Sequence, residues 1–179
     1  MRGLLAKDLI FIDESGVNLA LTRLRARAPK GQRAHGKRPQ KRGQNVSVVG
    51  ALSLSGLLTS TSIMGAFDGL TFDAFIAQRL VPQLWSGACV IMDNCSIHLG
   101  KDIEEMIHQA GASLLYLPPY SPEFSPIENF WSKVKSILRS LEARTYPDLA
   151  KALEKAFGEV SLKDIENWFT NCCYCTSLE

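Results

Sequence analysis

Residues 8–13, DLIFID, and residues 88–94, ACVIMDN, share one design: four apolar side chains in a row and then an aspartate. A run without polar alternation wants burial on both faces, the pattern of a strand inside a sheet that helices cover on each side. Placed as parallel neighbours, the two strands bring Asp13 and Asp93 out side by side, in the crevice at the strand ends where open α/β sheets bind ligands. Two such acids repel one another unless a proton or a cation intervenes. Read singly, each aspartate also suits the start of a turn, and Asp93-Asn94 fits that well.

Three further strand-like segments surround these runs. VSVVGALSLS (46–55) and LLTSTSIMG (57–65), separated by Gly56, read as a hairpin, and SLLYL (113–117) reads as a buried strand. TFDAFIAQRLVPQLW (71–85) has helical spacing, with Pro82 expected to kink or end it. Further helices are expected at about 101–110, 126–142, 147–158 and 161–170. Strands first and then alternating helix and strand give an α/β fold with a mixed sheet.

LPPYSPEFSPIENFWSKVK (117–135) leads a rigid proline arm into a helix. Ser125-Pro126-Ile127-Glu128 matches a capping box, with Ser125 as N-cap, Pro126 at the first helical position and Glu128 at the third. A helix N-terminus also favours an ionised carboxylate, the form a metal ligand takes. Ile127, Trp131, Val134, Leu138 and Leu141 form the apolar stripe, while Ser132, Lys135 and Arg139 lie within roughly 40° of Glu128 around the helix. A carboxylate flanked by Lys and Arg suits a metal and a phosphate chain. Asp13, Asp93 and Glu128 are therefore the candidate catalytic and metal-ligating set. Their hard oxygens select two Mg²⁺ or Mn²⁺ ions, a pair suited to in-line displacement at phosphorus.

The 179 residues are 46% hydrophobic and 21% charged, the composition of an ordinary globular chain. No run of about 18 apolar residues and no signal-peptide cleavage pattern occurs, so neither membrane insertion nor secretion is indicated, and a cytoplasmic location is expected. Five irregularly spaced cysteines argue for reduced thiols rather than a disulfide framework or a zinc site. The net charge of +2 conceals a segregation. Residues 23–42 hold nine Lys/Arg and no acid, leaving 11 bases against 18 acids elsewhere, a net of −7. Such an arm is either a solvated loop or a contact for a polyanion. Its Arg33, Lys37, Arg38, Lys41 and Arg42, with Lys135 and Arg139, are the candidate contacts to DNA phosphates.

FIDESG (11–16), APKGQR (28–33), VIMDNCSIH (90–98) and the 117–135 segment together resemble DDE-type transposases of the Tc/mariner superfamily, in particular its bacterial insertion sequence 630 group. The likeness runs from about residue 8 to 170, and the 34 residues between Asp93 and Glu128 are typical of that group. It implies a ribonuclease H-like fold with a mixed five-stranded sheet and flanking helices. The family's first Asp, second Asp and final Glu fall on Asp13, Asp93 and Glu128, and Ser125 stands where the family usually has Asn, both good N-caps. The implied activity is metal-dependent cleavage and transfer of DNA strands at the ends of an insertion element, in the nucleoid, by a homodimer on double-stranded DNA. A non-catalytic DNA-binding remnant and a ribonuclease H-like nuclease without strand transfer are the alternatives.

The resemblance also makes residues 1–179 a single catalytic domain, with a basic loop at 23–44 and C-terminal helices at about 145–170. A helix-turn-helix module is expected on a separate upstream polypeptide or fusion. His98 and Asn94 are supporting candidates; His98 is either a hydrogen-bonded structural residue or an orienter of a phosphate or of Asp93. Glu14, next to Asp13 on a strand, points to the opposite face and is left out of the triad. Phe130, Trp131 and Tyr120 read as core or arm packing.

Overall fold

The computed structural model describes residues 4–37, 39–98, 100–119 and 121–175. Its strands β1 (Leu9–Val17), β2 (Val46–Ser53), β3 (Gly56–Met64), β4 (Cys89–Met92) and β5 (Ser113–Tyr116) form one sheet in the order β3-β2-β1-β4-β5. The first three strands pair antiparallel, and β4 runs parallel to both β1 and β5. This is the expected mixed five-stranded sheet, with the two acid-terminated runs side by side.

Helices α1 (Gly69–Phe75) and α2 (Lys101–Gln109) cover one face, and α3 (Pro126–Leu141), α4 (Tyr146–Gly158) and α5 (Leu162–Asn171) cover the other. The strand alternation divides the core accordingly. Phe11, Val48, Leu52 and Ile91 pack under α3–α5, whereas Ile10, Ile12, Val49, Val90 and Met92 pack under α1 and α2. Odd positions of β1 thus face α3 and even ones face α1, which decides where Asp13 and Glu14 point.

β5, expected as a buried strand, is the edge of the sheet and only partly covered, because among the described residues no strand pairs beyond it, and two further expectations are corrected. Asp13 does not end its strand: β1 continues to Val17, because β2 supplies an antiparallel ladder from Ile10↔Ser53 to Val17↔Val46. Only the parallel pairing with β4 stops early, at Phe11↔Ile91. The helix expected over 71–85 is regular only to Phe75. A wider turn follows at Ile76–Leu80, where the Val81 N–H reaches back to the Ile76 carbonyl, and then a tight turn at Val81–Gln83. Pro82 has no N–H for the regular ladder, so the backbone before it takes another pattern. Among the described residues no helix is long and apolar enough to cross a membrane.

Candidate active site

A cleft of about 560 Å³ opens where β4 ends and β1 outruns it, and Asp13, Asp93 and Glu128 all border it. Each carboxylate arrives on a different element. Asp13 sits on β1 opposite Gly50 of β2, Asp93 directly follows β4, and Glu128 lies in the first turn of α3. Pro118, Pro119 and Pro122 form part of the wall. Their fixed φ angles make that wall stiff.

The structure removes the expected capping box at α3. Pro126 occupies the first turn as expected, but the Ser125 side chain makes no capping bond, and the Glu128 N–H is satisfied by the Ser125 carbonyl at 3.1 Å. With φ −114° and ψ 97°, Ser125 keeps extended geometry while its hydroxyl stays uncommitted to the helix. Glu128 is exposed and faces the cleft. The apolar stripe is broader than expected: Pro126, Ile127, Phe130, Trp131, Val134 and Leu138 are buried, whereas Leu141 is only partly covered. Phe130 and Trp131 are thus core residues, and Tyr120 lies outside the described residues.

The three acids differ in electrostatic state. Burial, then the charges of Glu128, Glu14 and Asp93, push the Asp13 carboxyl from 3.8 up to about 8, against the lowering effect of the Glu14 backbone hydrogen bond. Asp93 is far more open, with its side chain 59% exposed. Its Oδ1 accepts from the Cys95 N–H at 3.0 Å and lies 2.6 Å from His98 Nδ1 as an ion pair, while the hydrogen bond of that nitrogen goes to the Asp93 backbone carbonyl at 3.3 Å. Asn94 lines the cleft and donates to the Leu117 carbonyl at 3.4 Å.

His98 is fully buried, and its other nitrogen, Nε2, donates to Glu14 Oε1 at 2.9 Å. Burial by itself would lower the imidazole pKa. The Glu14 hydrogen bond and the charges of Glu14 and Asp93 outweigh it, and the net shift is upward. Glu14 does point away from Asp13, as strand alternation requires, yet it contacts Asp93's partner. Sequence reasoning missed this contact because it joins residues 84 positions apart. The one available signal was a carboxylate on the covered face of an otherwise apolar strand, which demands a partner.

The cationic candidates separate into two groups. Arg42 and Arg139 line a second crevice of about 220 Å³, beside Leu21 and Leu24. Arg33, Lys37 and Lys41 are exposed on the loop between β1 and β2, Lys135 is half-buried on α3, and Arg38 lies outside the described residues. The neck of the loop is fastened from the α3–α4 connection. Arg144 donates to the carbonyls of Leu19 and Leu21 at 3.1 and 3.0 Å, and Tyr146 Oη accepts from the Gln44 N–H at 2.6 Å. Gly43, at φ +69°, is needed there, since a Cβ would lie 2.7 Å from Tyr146 Oη. The five cysteines are free thiols, as expected.

The sheet order, the two helical layers and the cleft at the β1/β4 edge define a ribonuclease H-like fold. Residues 8–150 match the family model of the DDE superfamily endonucleases, and the chain belongs to that family. Among solved structures it is similar to a pre-cleavage Mos1 transpososome, with a TM-score of 0.71 and 13% identity over 94% of this chain and 56% of that one. The Mos1 strand transfer complex gives 0.71 and 15% over 94% and 54%. The Mos1 transposase catalytic domain with raltegravir and Mg gives 0.66 and 12% over 94% and 81%. The chain thus spans about half the length of the Mos1 chains in those assemblies. No curated protein matches it in sequence.

Proposed function

We propose that this chain is the catalytic domain of a transposase of the Tc/mariner type, nearest the insertion sequence 630 group, and that Asp13, Asp93 and Glu128 carry its chemistry. The observation that carries the reading is their approach to one cleft from three elements, with Asp13 held under strain by burial and by its neighbours' charge. The spacing of Asp93 and Glu128 and the four sequence blocks support the group assignment.

The donor set fits divalent cations. Carboxylate oxygens suit Mg²⁺ or Mn²⁺, and a cation relieves the repulsion that raises the Asp13 pKa. Among the described residues no group of three or more His, Cys, Asp or Glu side chains is gathered closely enough to hold an ion by itself, so in this reading phosphate oxygens and water would supply part of the shell. Mos1 paired-end complexes have been solved with Mn and with Mg. Asp13, Asp93 and Glu128 would hold two ions, which when bound activate a water or a 3′-hydroxyl and offset charge at the phosphorus.

The chain's own contribution is placement. β1 and the end of β4 hold two carboxylates at one edge of the sheet, and α3 brings the third across the cleft. With its carboxyl pushed up to about 8, Asp13 would give up its proton to a bound cation. The stiff proline wall limits how the cleft can deform. Arg42 and Arg139, with Arg33, Lys37 and Lys41 on the loop and Lys135 on α3, supply phosphate contacts to duplex DNA. The Mos1 complexes contain paired transposon ends, and by the same reading this chain works as a homodimer on DNA, with a helix-turn-helix module selecting the ends.

The test is incubation of the chain with plasmid and a labelled duplex ending in a free 3′-hydroxyl, in Mg²⁺ or Mn²⁺. Joined product is expected. Hydrolysis without joining would make it a nuclease, and DNA binding without either reaction would make it a non-catalytic remnant.

A further inference from the structure

The pair of buried His98 and half-buried Glu14 lies on the α1 side of the sheet and is not explained by the triad. His98 has no exposed surface and packs against Phe72 of α1 with ring centroids 4.4 Å apart. Its carbonyl accepts from Tyr116 Oη at 2.8 Å, so the backbone is tied to β5 while the ring is gripped by α1. One ring nitrogen meets Glu14 on β1 at 2.9 Å, and the other meets Asp93 Oδ1 beyond the end of β4 at 2.6 Å. A buried polar chain of this kind is costly unless every member is satisfied, and here both nitrogens have carboxylate partners. The same Oδ1 also accepts the Cys95 N–H at 3.0 Å. The Cys95 hydrogen bond and the His98 ion pair thus engage the same oxygen, with the His98 ring also bonded to the Asp93 backbone carbonyl at 3.3 Å, and leave Oδ2 for other use.

We propose that Glu14, acting through His98, is a positioning residue that locks the Asp93 carboxylate in one orientation and so presents Oδ2 to a divalent cation in the cleft. This rests on the proposed metal site. It assigns a role to a residue outside the triad and makes the α1 face of the sheet part of the site's support. Outer partners that orient a ligand typically contribute about 10–100-fold in metal affinity. Asp93 gains from such help, because its side chain is 59% exposed and the parallel pairing of β4 has ended before it.

The experiment is Mn²⁺ binding to the full chain, followed by electron paramagnetic resonance and by calorimetry, for the wild type, Glu14→Ala, Glu14→Gln and Asp13→Asn. Glu14→Ala is expected to weaken Mn²⁺ binding at least about tenfold, with Asp13 and Glu128 intact. Glu14→Gln, whose amide oxygen still accepts from Nε2–H, is expected to recover most of that loss. A Glu14→Ala protein that is folded and binds Mn²⁺ within twofold of wild type overturns the proposal, as does a Glu14→Gln protein no better than Glu14→Ala. Should Glu14→Ala fail to fold, Glu14→Asp keeps the charge and withdraws the oxygen by one bond. Several-fold weaker binding is expected there, and native binding overturns the proposal. Asp13→Asn separates the two readings: if it too binds Mn²⁺ like wild type, the metal site itself is wrong. If it loses Mn²⁺ while Glu14→Ala does not, only the positioning role falls.

Discussion

Asp13 keeps its proton at a pH where an ordinary aspartate has lost it, and this has a measurable sign. In the fold its carboxyl titrates at about 8, against 3.8 for the unperturbed group. Between those values the folded chain binds more protons than the unfolded one, so stability falls as pH rises through that window. In metal-free buffer the wild type should therefore melt lower at pH 8 than at pH 5 on account of this group, and Asp13→Asn should flatten the trend and melt higher at pH 8. Added Mg²⁺ or Mn²⁺ should raise the wild-type melting temperature and leave that of Asp13→Asn nearly unchanged. Melting curves at the two pH values, with and without the cation, check both statements, and parallel curves for the two proteins would remove Asp13 as a strained ligand. Of the residues around the cleft, the three acids were legible because an acid closing an apolar run, or opening a helix after prolines, stands out locally. Glu14 was not legible as a partner of the site, since its significance lies in a histidine far along the chain.

At the scale of elements, the proposed site needs α3 close over the sheet, and Gly50 leaves the room for it. Gly50 pairs with Asp13 across the β1–β2 ladder, and the Trp131 ring fills the space beside it, so that a Cβ on residue 50 would lie 3.1 Å from the ring. Gly50→Val is expected to cost about 1–3 kcal/mol by overpacking and to lower metal-dependent activity by displacing α3. Chemical denaturation and a cleavage assay read the two effects, and a stable, fully active Gly50→Val would show that the contact does not position Glu128. At the other end of the layer, Lys133 of α3 bonds to Asp164 of α5, which also closes a capping box with Ser161. The Lys133 hydrogen bond, followed by those of Ser161, lowers the Asp164 carboxyl from 3.8 to about 2. A depressed acid stabilises the fold above its unfolded pKa and loses that contribution as pH falls through the folded one. Asp164→Asn should thus be less stable than wild type at pH 6, and the gap should narrow from about pH 4 towards 2. A gap independent of pH would contradict this. The sequence suggested a capping box at Ser125 and not at Ser161, because the motif is common and its geometry depends on the approach of the preceding chain. The proline arm brings Ser125 in with its side chain off the helix axis, whereas Ser161 enters free of prolines.

Across the whole molecule, positive charge is concentrated on one loop and acidic charge in the body and the cleft. The sheet and its helices were readable from apolar runs and helical spacing. The neck of the loop was not, because Arg144 and Tyr146 reach it from more than a hundred residues away. Replacing Arg33, Lys37, Lys41 and Arg42 together by Gln should weaken DNA binding equally for all sequences and flatten the salt dependence by up to about 0.9 per lost phosphate contact. Binding titrations on two unrelated duplexes at several salt concentrations check this, and an unchanged slope would leave the loop merely solvated. In the proposed reading Asp13, Asp93 and Glu128 together perform metal-dependent cleavage of DNA. Its most direct test is nicking of supercoiled plasmid by the wild type, Asp13→Asn, Asp93→Asn and Glu128→Gln, each shown folded by its melting curve, in Mg²⁺, Mn²⁺, Ca²⁺ and chelator. Nicking by the wild type in Mg²⁺ or Mn²⁺ alone, reduced more than about 100-fold in every variant, is the expected result. Nicking that persists in chelator, or that survives any one of the three substitutions, would contradict it.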